Sequence, residues 1–100
     1  MSLYVISKSR YGQNGTLTHV EWARADGGRA DFVEPHTVVS VDRVVEALDR
    51  GDVVEMQHRA DNGDWVSSGK LVRRILANGD ETIIEERQTP GRMLSDLSAC

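Results

Sequence analysis

His19, His36 and His58 are the side chains of this sequence whose ordinary pKa lies near neutrality, so any general acid–base chemistry must start from them. His19 shares a predicted strand face with Glu21, His36 follows Glu34-Pro35 in a loop, and His58 continues the Val54-Met56 face toward a strand end. No motif surrounds any of them, and a surface or sheet-edge histidine is the plainer expectation for each. A metal reading that joins His36 to Asp31 and Glu34 lacks the fixed ligand spacing of known sites. No Gly-x-Ser-x-Gly elbow, P-loop or dinucleotide fingerprint occurs. Cys100, the single cysteine, rules out an intramolecular disulfide, a thiolate cluster and a His-Cys-Cys zinc set built from this chain. Asp26-Gly27-Gly28-Arg29 has the parts to hold an anion on backbone amides and a guanidinium, but reads first as a hairpin turn. No catalytic, cofactor-binding or metal residue is assigned.

The basic residues are the next candidates. Lys70, Arg73 and Arg74 lie on one predicted strand, and the Asn78-Gly79 turn would set Arg74 opposite Ile83 and Arg73 opposite Ile84, with Glu81, Glu85 and Glu86 close by. Cross-strand neutralisation accounts for them. A sheet face that binds single-stranded nucleic acid needs exposed aromatics as well, for which Tyr4, Trp22 and Trp65 are the candidates. Only five aromatics occur in 100 residues, and both tryptophans are expected in the core. The formal charge of −4 also argues against a general polyanion binder.

These residues need a scaffold, and the pattern supplies one. Ser40 to Gly51 reads as a helix with Val41, Val44, Val45 and Leu48 on one stripe and Asp42, Arg43, Glu46, Asp49 and Arg50 on the other. Ser40 is placed to cap it, Val39 to staple onto Val44, and Gly51 to end it. Asn14-Gly15, Asp26-Gly27-Gly28, Asn62-Gly63 and Asn78-Gly79 mark hairpin turns. The segments between them predict strands at 3–9, 16–25, 31–34, 52–59, 65–77 and 81–87. In the second, Thr18, Val20 and Trp22 alternate with Leu17, His19, Glu21 and Ala23. Gly69 predicts a bulge that could divide the fifth. After Gln88 the chain offers only Met93, Leu94 and Leu97 for packing, so 1–88 reads as one domain and 89–100 as a loosely docked tail.

The order of a glycine-turned first hairpin, a helix from Ser40 closed by Gly51-Asp52, an Asn-Gly strand pair and a tail with Asp96-Leu97 resembles a bacterial family of short proteins known only as a domain of unknown function. The resemblance runs loosely from Tyr4 to Leu97. It implies fold and bacterial origin, and carries no activity or site. The chain departs from it in the extra residues between Gly27 and Val39 and in the charged strand from Thr82 to Arg87.

The expected architecture is α+β: one small domain, a mostly antiparallel sheet of five or six strands, and one helix packed on one face. The expected role is a non-catalytic protein-binding or self-associating module, with an unidentified protein partner or a homodimer. Its candidate surface is Ile83, Ile84, Arg73 and Arg74, because adjacent isoleucines on a closing edge strand face opposite sides of the sheet. Single-stranded nucleic-acid binding on the sheet face is the alternative, followed by a small enzyme using His19 or His36. No stretch approaches the roughly 18 apolar residues of a membrane helix, and no basic segment precedes a long apolar run at the start, so a cytoplasmic protein with no membrane contact is expected.

Overall fold

A computed structural model describes residues 2–25 and 35–100. The predicted strand at Asp31-Phe32-Val33-Glu34, the Asp26-Gly27-Gly28-Arg29 turn and two ligands of the conjectured metal site, Asp31 and Glu34, lie outside the described residues.

Among the described residues seven strands, β1 (Leu3–Tyr11), β2 (Leu17–Ala25), β3 (Thr37–Ser40), β4 (Val53–Arg59), β5 (Trp65–Ile75), β6 (Glu81–Glu85) and β7 (Ser98–Ala99), join one α-helix, α1 (Val41–Asp49), and a short 3-10 turn at Leu94–Asp96 in an α+β domain. The open sheet has the order β3-β2-β1-β4-β5-β6, and β7 pairs with β1 away from that path. Most neighbours are antiparallel; β4 and β7 run parallel to β1. Five of the expected strands lie among the described residues, and two more join them: β3, where the sequence suggested only the approach to the helix, and β7 in the tail.

Three hairpins share one device. Thr16, Asp64 and Asp80 each donate their amide to the side-chain oxygen of the asparagine two residues earlier. The glycine between them takes positive φ, 79°, 89° and 90° at Gly15, Gly63 and Gly79. Ladder bonds close from Gly12 to Thr16, Ala60 to Asp64 and Leu76 to Asp80, so each loop holds three residues, a turn followed by a left-handed glycine. A three-residue loop moves the register by one from the pairing expected of a two-residue turn. Val72 therefore faces Ile84, Arg73 faces Ile83 and Arg74 faces Thr82.

Helix α1 lies across one face of the sheet. Val41, Val44, Val45 and Ala47 are buried, and Leu48 packs against the same core. Ser40 occupies the cap position in extended conformation, but its side chain makes no cap hydrogen bond. The C-terminal end carries the stop: Gly51 N–H donates to Leu48 and Asp52 N–H to Ala47, with Gly51 at φ 88°. The asparagine-glycine and helix-stop positions need left-handed backbone; an L side chain there is strained.

Beneath the helix sit Ile6, Val20, Trp22, Val54, Met56, Leu71 and Ile83. Tyr4 stacks on Trp22 with ring centroids 4.1 Å apart. Two bulges adjust the faces. Between Ile6 and Lys8 the β1–β2 register skips Ser7, and between Arg10 and Tyr11 it skips Thr18. The second explains why Leu17 is buried on the side of Val20 and Trp22, where simple alternation put it on the other.

Residues 89–100 are not loosely docked. Leu94 is 3% exposed, Ser9 Oγ donates to its carbonyl at 2.8 Å, and its amide donates to Glu85 Oε1 at 2.7 Å. Ser98–Ala99 pair with Lys8–Ser9, and Arg10 Nε donates to the carbonyl of Cys100. The polar partners are buried on the body of the domain and could not be counted from the tail's own three apolar residues.

Candidate interaction surface

The four residues proposed as a surface separate into two pairs. Ile83 is 4% exposed and faces α1. Arg73, directly opposite it, donates to Asp49 Oδ1 at 2.7 Å and lies 3.4 Å from Glu81, so it braces the hairpin against the helix. Ile84 and Arg74 turn to the outer face with Lys70, Val72 and Thr82. Ile84 is half-buried and Val72, its cross-strand partner, is exposed. β6 is the last strand of the sheet, and no described strand pairs with its second edge.

Of the aromatic candidates for base stacking, Trp22 is buried and Tyr4 lies against it, facing the helix. Trp65 is 48% exposed, which corrects the assignment of both tryptophans to the core. It stands opposite Arg59 on the outer face, and the Arg59 guanidinium lies 5.1 Å from the ring centroid. Beside them a cavity of about 460 Å³ is lined by Lys8, Arg59, Trp65 and Asp96 among others.

The three histidines are not brought together. His36 is exposed before β3, and His19 lies on β2 opposite Arg10 on one side and Ser40 on the other. Among the described residues no three His, Cys, Asp or Glu side chains converge as metal ligands.

His58 holds the arrangement that sequence reasoning missed. It is 8% exposed at the end of the Val54-Met56 face, as the alternation predicts. Ser68 is the extra residue of a bulge between Met56 and Gln57, followed by Gly69 at φ 139°. The bulge turns Ser68 Oγ onto His58 Nδ1. Nε2 meets the Met93 carbonyl at 3.0 Å. A carbonyl only accepts, so Nε2 carries a proton and donates to it, and Nδ1 pairs with the serine hydroxyl, which can both donate and accept. A base oriented behind a hydroxyl is the geometry of an activated nucleophile. However, Ser68 lines neither of the cavities beside His58. The three groups form a clasp between the β4–β5 bulge and the C-terminal segment. The Gly69 expectation of a bulge was the one sequence signal toward it.

Two groups shift their acidity. A hydrogen bond from the Ser2 amide, helped by Arg50 and opposed by partial burial, holds Asp52 below the usual carboxylate range. Burial and the nearby carboxylates of Glu85 and Asp96 push the Tyr11 phenol up. Among the described residues no helix is long and apolar enough to cross a membrane. No protein-family model, curated protein or solved structure matches the chain.

Proposed function

We propose that this chain is a non-catalytic protein-binding module, able to self-associate, whose contact element is the β5–β6 hairpin. The observation that carries this reading is the Val72–Ile84 pair, an apolar cross-strand contact left on the outer face of a strand whose second edge no described strand takes up. The patch is small, which favours a weak and reversible contact below the size of standard stable interfaces. The same reading takes the protein as bacterial, on the family resemblance, and as cytoplasmic, on the lack of a long apolar run in the sequence. Sedimentation velocity over a wide concentration range tests it. Self-association should be concentration-dependent, and Ile84→Lys should abolish it while leaving the circular dichroism spectrum unchanged.

Single-stranded nucleic acid is the second reading, favoured by exposed Trp65 with Arg59, Lys70 and Arg74 on the outer face. It ranks lower because one indole, already covered by a guanidinium, gives little stacking surface. A strictly monomeric chain that binds oligonucleotides with steep salt dependence, lost on Trp65→Ala, reverses the order.

A further inference from the structure

The sheet curls around α1 without closing. The free edge of β6 comes beside the start of β2, and two adjoining cavities of about 380 and 300 Å³ run along the gap, both lined by Thr16, Leu17, Leu76 and Thr82. One wall of this seam is a strand edge. Glu86 N–H donates to Lys70 and Leu76 N–H to Asp80, so the even-numbered residues of β6 turn their main-chain groups toward β5. Those of Glu81, Ile83 and Glu85 then point into the seam. Its apolar lining comes from Leu17, Ile83 and Leu94, and its charged lining from Asp42, Asp80, Glu81 and Glu85 against Arg74, with Arg73 of β5 paired to Glu81.

We infer that the seam receives an extended basic segment of a partner protein, added as a strand along β6. The inference rests on the reading of the chain as a protein-binding module and names the chemistry of the partner. A row of main-chain donors and acceptors at two-residue spacing is matched by another strand, and β6 at about 3.3 Å per residue accommodates five or six residues. Alternate side chains of that segment lie on the helix side, among Glu81, Ile83 and Glu85, which share that face, and the others lie beside Thr82 and Ile84. Asp42, Asp80, Glu81 and Glu85 outnumber Arg73 and Arg74, and the excess of negative charge selects lysine or arginine there. A second copy of β6 fits poorly, because Glu81, Glu85 and Glu86 would oppose like charges; self-association is left to the outer face.

The test is fluorescence anisotropy with a labelled acetyl-Lys-Val-Lys-Thr-Lys-Val amide, its Glu-for-Lys counterpart, and two copies N-methylated at alternate residues in either phase. The lysine peptide should bind, the glutamate peptide should not, and one N-methylated phase should lose at least about tenfold in affinity. Glu81→Gln should weaken the lysine peptide several-fold. Since N-methylation leaves the protein untouched, misfolding cannot imitate that loss. Absence of binding, or equal binding by the lysine and glutamate peptides or by both N-methylated copies, overturns the inference. Self-association lost on Ile84→Lys in the same preparation would leave the module reading standing; failure of both assays removes both.

Discussion

Replacing each isoleucine of β6 by alanine separates a core position from a surface one within a single dipeptide. Ile83 is 4% exposed and belongs to the cluster that includes Leu71, Val44 and Val45. Truncating a buried isoleucine removes three carbons from that contact and leaves a cavity, at a cost of about 2–5 kcal/mol. In a domain of this size each kcal/mol lowers the melting temperature by about 4–8 °C, so Ile83→Ala should fall by at least about 8 °C. Ile84 already shares its face with solvent and loses chiefly its contact with Val72, a cross-strand pair of about 0.2–1 kcal/mol. Ile84→Ala should therefore melt within several degrees of wild type. Thermal denaturation by circular dichroism and calorimetry reads both. Equal losses for the two variants, or a larger one at Ile84, would refute the three-residue loop register and with it the assignment of the outer face.

Two further predictions address the clasp and the acid limb. His58→Ala leaves the Ser68 hydroxyl and the Met93 carbonyl without their partner, so it should cost about 1–3 kcal/mol and speed amide exchange at Leu94 and Cys100 more than at Val54; uniform acceleration would show that the clasp has no local role. Asp52 is held below its ordinary pKa, so its contribution is present above the unfolded value, near 3.9, and disappears as pH falls through the folded value. Asp52→Asn should lower stability at neutral pH and flatten the loss on acidification below about pH 4; an unchanged acid slope would count against the Ser2 contact.

What the sequence discloses is whatever one segment can report about itself. The stripe from Val41 to Leu48 is visible because its burial repeats at helical spacing, and the glycine turns because they need left-handed backbone. Val54, Met56 and His58 follow from alternation alone. Bulges escape this reading, since an extra residue changes which face follows without altering composition. Thr18 conceals the burial of Leu17, and the loop length around Asn78-Gly79 shifts the partners of Arg73 and Arg74 by one residue. The tail is illegible for another reason. Its anchors, Ser9, His58 and Glu85, are polar residues far away in the chain, and nothing in 89–100 points to them.

The same bulges connect the fold to its open edge. Parallel pairing of β1 with β4 ends at Ile6 and Met56, where Ser7 interrupts β1. The vacated side of β1 is taken by β7 at Lys8 and Ser9, so the last residues of β4 pair only with β5. At that point Ser68 and Gly69 bend β5, and its far half leaves β4 to pair with β6. The hairpin is thereby carried over α1, where Arg73 fastens it to Asp49. An edge that would lie flat at the margin of an ordinary sheet instead faces the start of β2. Glu81 belongs both to the contacts that steer the hairpin and to the lining of the seam, since it lines the seam and lies 3.4 Å from Arg73; in Glu81→Gln the shorter Arg73–Asp49 contact and the Ser68-Gly69 bulge still hold the hairpin over α1 while the negative charge of the seam falls.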